Sequence, residues 1–480
     1  MLNDVDTVGS PAWWLKRLGT RQAARHERLD RLQRWMSGDP PLPVGAPQWQ
    51  AAYQAWHRNT RTNLAELIVE SVRERLTPIG FRTGAENDDN GDTVAARVWA
   101  VNEMPVEQVD LLTWMLGLSV GYTMIAPAPA GTDVPLITAE DPRQVITAHD
   151  PARRSLVRAG LKTYHDPDEG IEVCWVYLPG VPGQSNGRAQ AYRGTRPVSS
   201  IPMFGLGFDF YDGRKWVWDD PISLPTTRVP IVQYANRGGV AEFETHIDLL
   251  SRINRTTLQR MLIAELQAFR QRAIKSLPEV YPVGHPLAGQ RIDYDGVFTP
   301  GPGSLWQVPE GVDFWESTPI DLNPILNAER ADIRTLAALT RIPISYFNPD
   351  DANGSAEGAS LQREGLVYRA EDRQTLAGAG FAQTMSLAFE MMGDTARADV
   401  SQIQTLWAPV ERLSLTERYN AAVQAKGAGL ANDTIRREVL GFTPDQMTRA
   451  DADDARDMVL GVKNTSIGAG VSNQGRQASS

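Results

Sequence analysis

"DLLSRINRTTLQRMLIAELQAFRQRAIKSLP", residues 248–278, contains no Gly or Pro before its last residue, and the breaker-free run around it spans 38 residues, Val240 to Leu277. As one helix rising ~1.5 Å per residue, it predicts a rod of roughly 45–55 Å, longer than an ordinary domain helix. Leu250, Ile253, Thr257, Leu258, Met261, Leu262, Leu266, Phe269 and Ala273 recur at steps of three and four, which predicts one buried stripe. Arg252, Arg255, Arg260, Gln267 and Arg270 fall outside it. Such a stripe needs a partner surface. The pattern lacks the clean heptad alternation of a coiled coil, so a packed bundle or a ring of like helices is expected.

On the C-terminal side, residues 276–320 are rich in Pro, Gly and aromatics and read as a small β-containing excursion. A return helix follows at 321–342, with Asn323 as its cap, Pro324 at the first helical position, and Ile325, Ala328, Ile333, Leu336 and Leu339 as its apolar set. Residues 343–360 hold a polar loop, "NPDDANGSAEGAS". At 361–410 a long helix is expected to kink at Gly365, Gly378 and Gly380 and to lead into a strand. Short helices should fill 411–460, since Ser414 with Glu417 and Thr443 with Gln446 have capping-box spacing. The tail at 461–480 has little to bury and is expected to be disordered.

On the N-terminal side, residues 35–245 read as helices followed by an antiparallel β region. "NLAELIVESVRERLT" is amphipathic, Pro105 opens another helix, and alternating runs such as "IEVCWVYLP" begin near residue 120. "GQSNGRAQAYRGTRPVSS", residues 183–200, reads as a mobile insertion within that region. Residues 1–34 form a helical arm with seven Lys and Arg between Lys16 and Arg34. A solvated outer helix is its first reading, a membrane-surface or DNA-binding arm its second.

The chain has 480 residues, 42% of them hydrophobic, enough for several domains with real cores. Its formal net charge of −10 does not fit a surface built to grip nucleic acid throughout. Cys174 is the single cysteine, so no internal disulfide can form, and no secretory signal is expected from the opening residues. "LLTWMLGLSVGYTMIAPAPAGT", residues 111–132, is long enough to cross a bilayer, but its Gly, Ser, Thr and Pro content predicts a buried helix running into a buried strand.

Motifs for catalysis are absent: there is no G-x-x-x-x-G-K-[ST], no H-E-x-x-H and no G-x-S-x-G, and the six histidines are scattered. Asp451, Asp453, Asp454 and Asp457 lack the Gly and terminal Glu of a calcium loop, with Arg456 and Val462 at those places, and read as the exposed side of a helix. No enzyme, metal or cofactor is expected.

This order of parts resembles the portal proteins of long-tailed, double-stranded DNA bacteriophages, over roughly residues 35–460. The stretches that carry the resemblance are "SGDPPLPVGAPQWQAAY" with "NLAELIVESVRERLTPIGFRTG", then "GLSVGYTMIA" with "EDPRQVITAHDPARRSLVRAGLKTYHD". The most specific is "RVPIVQYANRGGVAEFETHIDLLSRINRTTLQRM", which runs from a strand through an Asn-Arg turn into the long helix. The resemblance implies a mainly helical α+β portal fold, assembled as a ring, usually of twelve subunits. In it, 35–245 would be the wing, 246–275 and 321–342 the stem helices, 276–320 a small α/β clip, 343–360 the tunnel loop, 361–410 the wing helix and strand, and 411–460 the crown.

By the same resemblance the ring would sit at one capsid vertex in the virion, made in the host bacterial cytoplasm, and pass DNA during packaging and ejection. Its partners would be other copies of the chain, double-stranded DNA held without sequence preference, the terminase large subunit, the major capsid and scaffolding proteins and a head-tail adaptor, with no membrane. Asn348, Asp350, Asp351, Asn353, Ser355 and Glu357 would face the DNA as a weakly adhesive acidic collar. Glu279, Tyr281, Trp306, Glu310 and Trp315 would form the docking surface of the clip. The stem arginines Arg252, Arg255, Arg260 and Arg270 would either face the lumen or pair across subunits with Glu329 and Asp332, the pairing being favoured. Two other classes stay open: a nuclease or hydrolase with an unrecognised site, and a monomeric helical scaffold or adaptor.

Overall fold

A computed structural model describes residues 4–41, 58–85, 91–181, 187–198, 215–268, 272–294, 313–318, 320–348, 356–411 and 415–459. The principal elements, in chain order, begin with α1 (Pro11–Met36), α2 (Leu64–Arg73), β1 (Pro78–Arg82), α3 (Thr93–Val101), α4 (Met104–Gly117), β2 (Val120–Ala126) and β3 (Leu136–Glu140). They continue with β4 (Val145–His149), β5 (Val157–Asp166), β6 (Ile171–Leu178), β7 (Gln190–Pro197), β8 (Val217–Trp218), β9 (Ile222–Ser223) and β10 (Ile231–Ala235). The remainder are α5 (Ile247–Ala268), β11 (Arg272–Lys275), β12 (Asp313–Glu316), α6 (Asn323–Thr340), α7 (Ala356–Met392), β13 (Gln404–Trp407), α8 (Leu415–Gly427) and α9 (Pro444–Val459). The fold is α+β. Two compact units result, one from Met1–Leu29, Glu70–Ala241 and Val367–Ser480, the other from Asp30–Val69 and Glu242–Leu366.

In the first unit an antiparallel sheet runs β4-β5-β6-β7-β8, with β9 also on β7. Side chains alternate between its faces: Cys174 and Val176 join one apolar cluster with Trp14, Leu15 and Leu18 of α1, while Trp175 and Tyr177 join another with Tyr122 and Ile231. Because β6 is covered on both sides, the stretch read as alternating is apolar without interruption from Val173 to Leu178. Arg196 on β7 is fully buried; its Nε donates to Glu172 Oε2 at 2.5 Å, and its guanidinium lies 4.4 Å from the Trp216 ring centre. Such a buried charge is tolerable only because it is paired and stacked. A three-stranded sheet, β10-β2-β3, and a pair, β1-β13, complete the unit's strands among the described residues.

Two expectations change in this unit. The stretch read as an insertion supplies β7, which pairs with β6 from Ile171↔Pro197 to Leu178↔Gln190. Its Gly, Arg and Thr content hid a strand whose backbone bonds and buried Ala191 and Arg196 outweigh propensity. The basic N-terminal helix keeps Lys16, Arg17, Arg21, Arg31 and Arg34 exposed, as a solvated outer helix would, but its other face is docked. Leu18 and Leu29 are fully buried; Arg25 donates to Tyr122 Oη at 3.0 Å and to the carbonyls of Pro142 and Val145, and Arg28 donates to Gly239 O at 2.9 Å. Carbonyls at strand ends accept these guanidinium protons, so the charges dock instead of pointing to water.

α7 is one continuous helix that contains all three glycines. A Cβ on Gly380 would lie 2.4 Å from the Tyr234 ring, and one on Gly365 would lie 3.2 Å from Arg341 Cβ. These glycines permit close approach of neighbouring groups rather than ending the helix. At the C-terminal end, Thr443 and Gln446 do close a capping box, with Thr443 N–H donating to Gln446 Oε1 at 2.9 Å and Gln446 N–H to Thr443 Oγ1 at 3.4 Å. Asp454 and Asp451 are not simply solvated: Arg436 lies 2.8 Å from the first and 3.8 Å from the second. Ser414 and the tail at 461–480 lie outside the described residues.

Candidate functional site: the paired helices and their hairpin

The second unit is built on α5 and α6, which run antiparallel: Arg252 faces Asp332, Thr257 faces Glu329, and Gln267 Nε2 donates to Ile320 O at 3.1 Å. Between them, β11 and β12 pair in the register Arg272↔Glu316, Ala273↔Trp315, Ile274↔Phe314 and Lys275↔Asp313. The rod expected to reach Leu277 therefore ends at Ala268, and its last turns are replaced by a strand. Absence of Gly and Pro permits a helix but does not require one; a strand partner some forty residues downstream supplies the backbone bonds instead. Ser276 closes the strand with a left-handed backbone, φ +65°.

α6 starts differently from its sequence reading. Asn323 lies inside the first turn, and its N–H donates to Asp321 Oδ1 at 2.9 Å, so Asp321 satisfies the free donor. Leu336, Ala337 and Thr340 are its buried residues, whereas Ala328 and Leu339, placed in the apolar set, are exposed. The inner face instead carries Glu329 and Asp332, because α5 presents arginines to it.

Arg252 Nε donates to Asp332 Oδ2 at 2.9 Å and its Nη2 to Oδ1 at 2.7 Å, a two-point grip that raises the Arg252 pKa through those bonds to the carboxylate. Arg260 lies 3.6 Å from Glu329, and Thr257 Oγ1 bonds the same carboxylate at 3.0 Å. Both acidic partners lie in the same chain as the arginines. Arg255 stays exposed; Arg270 lies outside the described residues. Arg330 and Arg334, which the sequence reading passed over, are exposed on α6 one turn apart. Their spacing of four, off the apolar face, was the available signal.

Burial along the helix pair is uneven. Leu250, Ile253 and Leu258 are buried, while past Leu258 Met261, Leu262 and Ile263 are partly rather than fully buried. Towards the hairpin, Ile320 is 57% exposed, Trp315 49% and Val280 48%. At the other end of α6, Leu339 is 57% exposed, so one chain leaves apolar surface open along the pair.

In the excursion, the Ile292 N–H donates to Glu279 O at 3.0 Å, and Tyr281 stacks on His285 with ring centres 4.4 Å apart. Glu279 and Trp315 are exposed, while Trp306 and Glu310 lie outside the described residues. Asn348 ends a short turn, its N–H bonded to Ile344 O at 2.9 Å. Asp350, Asp351, Asn353 and Ser355 are not among the described residues, nor is the Glu357 side chain. Of the residues singled out in the sequence, then, the structure brings together Arg252, Arg260, Glu329 and Asp332. Among the described residues, no group of three or more His, Cys, Asp or Glu is placed to hold a metal ion, and no helix is long and apolar enough to cross a membrane. Cys174 is buried, and burial pushes its thiol far up, away from the reactive thiolate.

No curated protein sequence matches the chain. The family described as "Phage portal protein, SPP1 Gp6-like" matches residues 15–458, from the first turn of the docked α1 to the end of α9. With nearly its whole length inside that match, the chain belongs to the phage portal proteins, a family of structural proteins of the bacteriophage capsid.

Proposed function

We propose that copies of this chain close into a ring, of twelve subunits in the arrangement usual for portals, at one vertex of the capsid. Double-stranded DNA passes through its channel during packaging and ejection. In this reading α5 and α6 are the stem, residues 276–320 the clip on which the terminase large subunit and then a head-tail adaptor dock, and residues 343–355, ahead of the start of α7 at Ala356, the segment facing the DNA. The wing and crown meet the capsid and scaffolding proteins.

One observation carries the reading: the antiparallel pair α5/α6 leaves apolar side chains exposed at both ends, Leu339 at one and Ile320 and Trp315 towards the hairpin. Identical head-to-tail contacts around a closed ring cover such surface on every subunit at once. Electrostatics fit a sliding contact. Asp332 and Glu329 offset Arg252 and Arg260 within each chain, so fewer cations remain to neutralise phosphates and hold the duplex still.

Negative-stain imaging of the purified protein tests the proposal. Rings with a stain-filled centre are expected; uniformly compact particles without a hole, at every concentration tried, contradict it.

A further inference from the structure

An open groove of about 600 Å³ lies in the first unit, within the roughly 300–1,000 Å³ range of sites that take ligands. Its apolar walls include Trp13 and Trp14 of α1, Leu178 at the end of β6, Val229 and Ile231 at the start of β10, and Leu387 of α7. The apolar surface does not stop at the mouth. Val8, Leu156 and Val181, all lining residues, are 77%, 47% and 49% exposed, so an occupant that covers them must be larger than a small molecule.

Among the described residues, Arg158 and Arg228 are the charged residues lining this groove, in a protein whose formal net charge is −10. Arg228 is engaged by Glu390 and Ser386, each at 2.8 Å. Arg158 is exposed, with its guanidinium 5.9 Å from the Trp14 ring centre, and Arg17, also exposed, lies 4.8 Å from that of Trp13. Two cations thus flank the paired tryptophans, where they can meet carboxylates at the border of an apolar contact.

We infer that this groove docks an amphipathic helix of a partner protein, its apolar face against Trp13, Trp14 and the rim and its acidic flank against Arg158 and Arg17. This is the helix-in-groove mode, with charge complementarity selecting the partner. It is independent of the ring proposal.

A direct test uses the full-length protein and a fluorescein-labelled peptide of about 16 residues, with Leu and Trp on one helical face and Glu on the other, beside a twin carrying Lys in place of Glu. Fluorescence anisotropy should show the acidic peptide binding in the micromolar range and at least about tenfold more tightly than the basic twin. That preference runs against the protein's overall charge, which attracts the basic twin. Val181→Asp, at an exposed rim position, should weaken the acidic peptide about tenfold or more, and Arg158→Glu should reduce or invert the preference. The inference is overturned if the acidic peptide fails to bind at ~100 µM, if the basic twin binds as well, or if Val181→Asp leaves binding unchanged. It is equally overturned if Val181→Asp only alters self-association, which would make the groove a contact between copies of this chain.

Discussion

Arg252 and Asp332, eighty residues apart in the chain, meet in a two-point hydrogen-bonded ion pair that fixes the register of α5 against α6. Because Arg252 remains largely exposed and water screens the pair, its main effect is alignment, not strength. Reversing one charge, Arg252→Asp or Asp332→Arg, should lower the melting temperature by a few degrees, and combining the two should recover most of the loss. Thermal melts of the four proteins check this. Additive losses in the double variant would show that the pair does not set the register.

Two glycines two residues apart on α7 should respond in opposite ways to the same substitution. At Gly378 a Cβ meets Trp407 at an ordinary 3.5 Å, so Gly378→Ala should stabilise by up to ~1 kcal/mol through helix propensity. At Gly380 it would lie 2.4 Å from the fully buried Tyr234 ring, whose hydroxyl is tied to Thr384 at 2.7 Å, so the ring cannot step aside cheaply. Gly380→Ala should therefore cost about 1–3 kcal/mol, read by urea unfolding.

Acid should loosen the first unit through Glu390 and Asp92. Burial pushes Glu390 up, but the Thr227 N–H at 2.8 Å and the Arg228 guanidinium draw it down further, and it ends below the ordinary range. For Asp92, burial is likewise outweighed by the Thr83 hydroxyl, the Ala95 N–H and Arg397. Both carboxyls hold a proton less readily when folded than when unfolded. Their contribution is present above the unfolded pKa of about 4 and is lost as pH falls through the lower folded value. Unfolding midpoints should be level from about pH 7 to 6 and fall below about pH 5, and Glu390→Gln should flatten part of that fall. An unchanged slope in the variant would remove Glu390 from the account.

The capping box at the start of α9 predicts a local effect. Thr443→Ala removes the oxygen that accepts from the Gln446 N–H and should cost about 1 kcal/mol, while Thr443→Ser should cost little. Chemical denaturation of the three proteins compares them.

Periodic apolar spacing made much of this fold legible: the body of α5, the amphipathic α2, the run from α4 into β2, and the cap at Thr443 all follow local rules. β11 was not legible, because the strand depends on pairing with Phe314 and Trp315, and nothing between residues 269 and 277 announces that partner. Arg25 and Arg28 misled for a related reason. A basic helix face looks solvated until the carbonyls of Pro142, Val145 and Gly239 are brought beneath it. At the helix pair, opposite charge singled out Glu329 and Asp332 as partners for the arginines, but spacing cannot tell whether two groups meet within one chain or between two. Arg330 and Arg334 stand exposed off the apolar stripe of α6, where nothing in the pattern of charges beyond their spacing of four distinguishes them.

Sedimentation velocity of the full-length protein, across a range of micromolar concentrations, weighs the assembly directly. A chain of 52.9 kDa that closes into a multi-subunit ring should sediment mainly as a species of roughly half a megadalton or more. A single boundary at the mass of one chain, persisting at the highest concentration, would contradict the account.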